Sequence, residues 1–305
     1  AALVALTALT VVLAWRGPRL VSTRARGAAS CVVLVVAVLV RPPVPGWPPD
    51  GWVLVACDVG QGDALVLATT PGHAVVVDVG PEPGAVGRCL DDLGVSTVDL
   101  LVLTHFHADH VDGLSAVLGS HGVGEVWVSR VLDPADGARS VLADAAAAGV
   151  PLHPAPYAGA WRSGATRLQV LWPTPGEPGT GPGDGTAAND ASVVLLVEVA
   201  GLRLLLTGDL EPPGQAALAR TLPDLAVDVL KVPHHGSSYQ DLGWLTGLGA
   251  RVAVVTVGED NDYGHPAPSV VAALESAGAR VLRTDTDGSV AVVAGEAGPS
   301  VLTTR

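Results

Sequence analysis

Apolar residues in this chain come in short unbroken runs, and those after residue 51 have the length and composition of buried strands. They fall at Trp52–Cys57, Ala64–Ala68, Ala74–Asp78, Leu100–Thr104, Glu125–Val128, Ser192–Val199, Leu202–Thr207, Val227–Val232, Val252–Val257 and Ser289–Val293. Most are continuous Val and Leu, the pattern of strands covered on both faces. Between them, segments with helical spacing predict helices at Gly84–Leu93, Asp112–Leu118, Pro134–Ala148, Pro212–Thr221 and Pro268–Ala277. Pro212 and Pro268 suit the first helical turn. Strand pairs at each end with alternating helices between argue an α/β fold of two packed sheets flanked by helices. Residues 52–295 are enough for one such core.

The first residues follow another pattern. Residues 1–15 and 28–40 are almost wholly apolar, while Arg16, Arg19, Arg24 and Arg26 crowd the segment between them. Two apolar runs joined by a basic loop predict two transmembrane helices, a hairpin over residues 1–46. Each run is shorter than the ~20 residues that span a bilayer. A signal peptide is the competing reading and accounts for only one run. The basic loop is expected in the cytoplasm, which places the following domain on the extracytoplasmic side of the cell membrane. With no Met in 305 residues, the chain is expected to be the C-terminal part of a longer multi-pass protein.

Two smaller features qualify this plan. Thr174 to Asn189 is dominated by Pro and Gly and is expected to be a flexible loop, either a surface insertion or a lid. Cys57 and Cys89 have no CxxC spacing and are read as small core residues rather than a disulfide.

Chemistry concentrates in Thr104-His105-Phe106-His107-Ala108-Asp109-His110, directly after an apolar run. A buried strand ending in such a cluster brings imidazole nitrogens and a carboxylate to one point. In an open loop, His105 and His107 can turn towards one metal while Asp109 and His110 turn towards another. Nitrogen and oxygen ligands of this kind suit zinc or manganese. With nine His in the whole chain, chance clustering is a poor explanation.

The cluster resembles the HxHxDH motif of the metallo-β-lactamase superfamily, and other stations of that pattern follow in order. Val75-Val76-Val77-Asp78 resembles the early strand whose Asp steadies the histidine loop. Leu204-Leu205-Leu206-Thr207-Gly208-Asp209 resembles the strand whose Asp bridges two metals. Lys231-Val232-Pro233-His234-His235-Gly236-Ser237 and Tyr263-Gly264-His265-Pro266 supply late histidines. Three segments, Asp58 to Asp63, Lys231 to Ser237 and Asn261 to Pro266, resemble the C-terminal domain of ComEC-type DNA-internalisation competence proteins.

The resemblance implies a four-layer αββα sandwich over residues 52–295 holding two divalent ions, manganese or zinc with magnesium possible. It implies metal ligands among His105, His107, Asp109, His110, Asp209, His234 and His235. One of His234 and His235 is expected on the second metal. Asp109, His265 and Lys231 are the candidate catalytic groups, with His265 contacting substrate or donating a proton. Asp58, Asp63 and Asp78 are expected behind the ligands, orienting histidine rings. Two ions about 3.5–4 Å apart would activate water and stabilise an attacked phosphoryl group. His73, His121 and His153 lie outside every motif and are read as surface residues.

Two departures matter. The superfamily usually supplies a third histidine to the first metal before the Gly-Asp strand, and here Asn189-Asp190-Ala191-Ser192 stands there. The first metal is therefore expected to be weakly held, favouring manganese or magnesium over tight zinc. Asp112 stands where the pattern prefers Gly, either crowding the loop or capping the next helix.

Charge opposes the implied substrate. Removing the five Arg and one Asp of residues 1–51 leaves 12 basic and 29 acidic residues, a net charge of −17. A nucleic-acid binder usually shows a basic footprint. Lys231, Arg162, Arg167 and Arg203 are the candidates for local phosphate contacts. The resemblance implies a nuclease working with DNA, the membrane and other DNA-uptake proteins. The alternatives are a metallo-hydrolase of a small ester, lactam or thioester, and a non-catalytic gating domain.

Overall fold

The Val and Leu runs form two mixed sheets in the computed structural model, which describes residues 44–176 and 186–305. The first sheet has the order β15 (Gly298–Thr303), β14 (Val290–Gly295), β1 (Trp52–Ala56), β2 (Leu65–Ala68), β3 (His73–Val77), β4 (Thr97–Leu103), β5 (Gly122–Val128) and β6 (Leu152–Pro154). The second runs β13 (Arg280–Arg283), β12 (Val252–Val255), β11 (Val229–Lys231), β10 (Leu202–Leu206), β9 (Val194–Val199), β8 (Thr166–Trp172) and β7 (Ala160–Ser163). Strands β3 to β6 are parallel, and so are β10 to β13. The remaining neighbours in each sheet pair antiparallel, β1 with β14 across most of the chain and the others as hairpins.

Strand alternation divides the apolar surface into layers. Leu65, Leu67, Val75, Val77, Leu100 and Val102 face Leu168, Val170, Leu195, Val197, Leu204 and Leu206 in the core between the sheets. Each fully buried side chain of this size contributes about 1.5–3 kcal/mol. The opposite side chains of the second sheet, Leu196, Leu205 and Leu230, pack on α6 (Pro212–Thr221), α7 (Leu242–Gly247) and α8 (Pro268–Ser276) through Leu218, Leu245 and Leu274. Three more helices, α1 (Pro83–Asp92), α3 (Leu114–Ser120) and α4 (Ala135–Ala148), bury Val86, Leu90, Leu114, Val117 and Val141. The result is a helix–sheet–sheet–helix sandwich. Pro212 and Pro268 each open their helix, and the Asp241 carboxylate caps α7 by accepting from Trp244 N at 3.0 Å.

Differences from the expected elements have physical causes. Strand β8 alternates polar and apolar residues and reads weakly as an apolar run, while β6, β7, β13 and β15 lie at or next to sheet edges. Such strands are short or polar, as edges usually are. The four-residue helix α2 (Ala108–Val111) is too brief to show a period. The Gly/Pro-rich segment is not all loop, because α5 (Thr186–Asp190) closes it.

The membrane hairpin expected over residues 1–46 lies outside the described residues except for its last few. Among the described residues no helix is long and apolar enough to cross a membrane. By contacts the chain divides at Trp47/Pro48, and the unit from Pro48 to Arg305 contains both sheets.

One reading is overturned: Cys57 and Cys89 form a disulfide. Cys57 follows β1 and Cys89 lies on α1, so a bond hidden by a separation of 32 residues closes in space. A loop of that length restricts the unfolded chain by about 3–4 kcal/mol. Replacing both cysteines with Ala should lower urea-unfolding stability by roughly this amount, whereas a loss below about 1 kcal/mol would show that the link adds little.

Candidate metal centre

Every group of the HxHxDH pattern emerges at the C-terminal end of a strand. Asp78 follows β3, the histidine loop follows β4, Asp209 follows β10 and the late histidine pair follows β11. Ligands of open α/β sheets commonly collect at this edge. Phe106 is fully buried between His105 and His107 and pins the loop. Gly62 is required by close approach: a Cβ there would lie 2.1 Å from the Asp109 carbonyl. Gly208 combines a φ of +52° with a Cβ position 2.8 Å from Ser192.

The loop is held from behind. Asp78 accepts from Thr104 N at 2.7 Å and Thr104 Oγ1 at 2.8 Å, and its Oδ2 lies 2.9 Å from His110 Nδ1. His235 Nδ1 donates to the Thr256 carbonyl at 2.8 Å. Both rings thereby present Nε2 to the site, the arrangement of a metal-binding histidine whose other nitrogen is anchored.

Two groups of ligand atoms result. In the first, His105 Nε2 and His107 Nδ1 converge at 3.0 Å. In the second, Asp109, His110, Asp209 and His235 each offer an atom within 4.8 Å of the others. Asp209 Oδ2 lies 3.3 Å from His110 Nε2 and 3.4 Å from His235 Nε2, and Asp109 Oδ2 lies 3.2 Å from His235 Nε2. His110 Nε2 and Asp209 Oδ1 are buried and lack hydrogen bonds. Buried polar atoms without partners are uncommon, and imidazole and carboxylate donors so arranged fit a divalent ion.

Charge within the site is balanced mainly by buried groups. Lys231, fully buried, pairs with Asp63, lies 3.5 Å from Asp209 and donates to the Gly208 carbonyl at 2.9 Å. Burial works against the His110 and His235 cations, yet the surrounding carboxylates win. Asp209, Asp109 and Asp78 raise His110 well above its ordinary value, and Asp209 with Asp109 raises His235 to about 10. Burial opposes the Asp209 anion too, but His235, His110, His234 and Lys231 hold its carboxyl well below the usual range. His265 moves the other way, lowered to about 4 by burial and then by His234 and His235, so it carries no extra proton at neutral pH.

Most candidate residues meet here, and several do not. Asp63 lies behind the ligand groups, its carboxylate between Lys231, Thr256 and His235. Asp58 pairs with Arg305 at 2.8 Å instead, beside the C-terminal strand. Lys231 faces two carboxylates with no exposed surface, so it is not placed to meet substrate phosphates. Arg162, Arg167 and Arg203 line a shallow pocket with Glu198 near the start of β10, away from the strand end that carries Asp209. Asp112 is exposed and ends α2, its N–H donating to the Ala108 carbonyl, while Gly113 rather than Asp112 precedes α3. His121 is buried, contrary to its surface reading, while His73 pairs with Asp99 at 2.7 Å and His153 is exposed. Thr104, Ser192, Thr256 and Glu211 also serve the site, and no motif marks their roles because their contacts join segments far apart in the chain.

The fold and site together define a metal-dependent hydrolase of the α/β sandwich type. A family model described as the metallo-beta-lactamase superfamily matches residues 57–257, and the chain belongs to that superfamily. It is similar to ComE operon protein 3 of Bacillus subtilis (strain 168), 29% identical over 255 residues, 76% of this chain and 32% of that protein. Competence protein ComA of Neisseria gonorrhoeae is 27% identical over 280 residues, 90% of this chain and 37% of that one. These relatives support a competence-protein form of the domain, and the chain spans about a third of their length. Among solved structures, YhfI from Bacillus subtilis matches with a TM-score of 0.52 at 8% identity, over 77% of this chain and 98% of that one. A metal-dependent hydrolase of the beta-lactamase superfamily matches with a TM-score of 0.51 at 13% identity, over 77% and 97%. Both show the fold.

The charge balance sets a pH dependence. Imidazoles raised above 6.5 stabilise the metal-free domain fully below that pH, and the His235 contribution fades as pH rises through about 10. An entering ion must displace those protons. Metal affinity should therefore rise from pH 6 to pH 8 with proton release, measurable by calorimetry in buffers of different ionisation heat. Affinity independent of pH would contradict this account.

Proposed function

We propose that the chain is the phosphodiesterase part of a DNA-uptake membrane protein, a nuclease that processes DNA at the outer face of the membrane. The observation that carries this reading is the Asp209 carboxylate, set among His110, His235 and Asp109 with nitrogens and oxygens left open for ions. In this reading His105 and His107 would hold one divalent ion, and Asp109, His110, Asp209 and His235 a second. When bound, the ions supply Lewis acidity that activates water and stabilises developing phosphoryl charge. Mixed imidazole and carboxylate ligation suits manganese or zinc, with magnesium as a third candidate.

The chain's own groups supply the rest. Asp78 and Thr256 fix the ring orientations of His110 and His235. His265, neutral and at the rim, is suited to contact substrate. Tyr263 is 72% exposed and stacks on His265 with ring centroids 5.9 Å apart. An exposed aromatic face beside a metal site suits a nucleobase, whose stacking contributes about 1–3 kcal/mol. The competence-protein relatives support DNA as substrate and other uptake proteins as partners. The Cys57–Cys89 disulfide supports an oxidising, extracytoplasmic location. A second reading, hydrolysis of a small ester, lactam or thioester, draws on the domain charge of −17, which repels a polyanion.

The purified unit from Pro48 with manganese should cleave labelled single- or double-stranded DNA, and His107→Ala should not. Asp209→Asn keeps side-chain volume and should lower the rate at least about a hundredfold, since loss of even an outer partner of a metal ligand costs 10–100-fold. Hydrolysis of a small ester or lactam without DNA cleavage would favour the second reading. Reporter fusions at Pro48 and between Arg16 and Arg26 should give opposite signals, and a cytoplasmic signal at Pro48 would defeat the uptake role.

A further inference from the structure

A lone exposed tyrosine needs no explanation, but Tyr263 ends a row of rings that begins at the metal centre. His110 and His235, both in the second ligand group, have ring centroids 5.4 Å apart. His265 follows His235 at 6.4 Å with the ring planes 28° apart, and Tyr263 follows His265 at 5.9 Å and 26°. His234 stands edge-on to His265 at 5.5 Å and 76°. One end of the row carries ion ligands, and the other, Tyr263, is 72% exposed.

The segment that carries the outer rings is braced. Asn261 Nδ2 donates to the carbonyls of Gly258 and His265, both at 3.0 Å, and Asn261 Oδ1 accepts from His265 N at 3.2 Å. Gly258 N donates to Gln61 Oε1 at 3.2 Å, and Ala267 N to the Gly236 carbonyl at 2.8 Å. The segment is thus tied to the Asp58–Asp63 loop and to the late histidine turn. A ring fixed before its partner arrives loses little freedom on binding.

Charge does not account for the display of this ring. Glu259, Asp260 and Asp262 are exposed around it and repel phosphate, and His265 is uncharged at neutral pH. A phosphodiester is therefore directed to the ions, and Tyr263 offers a flat, uncharged face to whatever lies beside it. A nucleobase has a matching face. Stacking on one aromatic side chain tightens binding about 5- to 150-fold, equivalent to about 1–3 kcal/mol.

That magnitude decides between forms of DNA. Within a duplex both faces of each base are covered, and extracting one base costs at least as much as a single stack returns. A single strand offers its base faces at no such cost. It also carries fewer charges along its length than a duplex, which has one per ~1.7 Å. The difference matters to a domain of net charge −17.

We infer that Tyr263 is a specificity-determining residue, the platform on which an unpaired nucleobase stacks beside the phosphodiester held at the ions, so that the site selects single-stranded DNA over duplex. The inference rests on the nuclease reading for its substrate. Because every base has a stacking face, the selection is independent of sequence.

Fluorescence anisotropy of the purified chain with labelled oligonucleotides, calcium replacing manganese and the DNA checked intact on a gel, reads binding apart from cleavage. A single strand should bind at least about tenfold tighter than its blunt duplex. Tyr263→Leu should weaken the single strand about 5- to 150-fold, and Tyr263→Phe should keep the wild-type affinity. A strand of abasic residues should bind wild type and Tyr263→Leu equally weakly. With manganese, the loss in Tyr263→Leu should appear in KM rather than kcat. Circular dichroism confirms that these surface variants fold. Duplex bound as tightly as single strand, or Tyr263→Leu as tight as wild type, would overturn the inference. So would a lysine-rich peptide whose binding needs Tyr263 while that of the single strand does not, since the ring and its acidic neighbours would then serve a basic partner. Tyr263-dependent binding in a chain that cleaves no DNA would defeat the nuclease reading and leave the platform standing. Cleavage with a KM indifferent to Tyr263 would do the reverse.

Discussion

Buried carboxylates at the edge of the two sheets set the terms for this structure. Asp63, Asp78 and Asp209 are all shielded from water, and each is tied to a cation or to a group that becomes one. Taking an ion out of water costs several kcal/mol, recovered only when partners and hydrogen bonds are well placed. Lys231 is the one permanent positive charge among those partners, reaching Asp63 and Asp209 from the end of β11. Its burial explains why the single lysine of the chain is unavailable to a substrate. The remaining negative charge is matched by imidazoles, which carry protons without metal and can exchange them for ions.

That electrostatic arrangement demands a rigid frame, and the fold supplies one through parallel strands that end together. Asp78, the histidine loop, Asp209 and the late histidines leave neighbouring strand ends of two sheets whose facing sides are filled with Val and Leu. Among the described residues five non-glycine positions have positive φ, and three of them, Asp78, His234 and His235, lie at the site. Such backbone is tolerated where surrounding contacts over-determine it. Here the strand ends, Gly62 against Asp109 and Gly208 against Ser192 leave those residues little freedom to relax.

Substrate electrostatics follow from the same distribution. Several arginines are neutralised by acids, as Arg283 is by Asp285, Arg139 by Asp136 and Arg305 by Asp58. Arg162, Arg167 and Arg203 gather at the opposite end of the second sheet from Asp209, where Glu198 pairs with Arg167. A polyanion would thus meet attraction only at ions held by the site, and its long-range steering would be weak at physiological salt. Delivery by a partner or by other parts of a larger protein would remove the need for steering.

The sequence by itself determined the buried strands, the helices opened by Pro212 and Pro268, and the ligand-bearing strand ends. Period and composition are local properties, and the HxHxDH cluster is local too. Tertiary structure decided what depends on distant segments meeting. It separated Asp63, which joins Lys231 and Thr256, from Asp58, five residues earlier, which pairs with Arg305. It joined Cys57 to Cys89 across 32 residues and turned Lys231 inward. It gave His235 to the Thr256 carbonyl and His234 to Glu211, a difference between adjacent identical residues that no pattern along the chain could express. Side-chain direction at a left-handed turn is set by what packs against it, and that is known only once both sheets are in place.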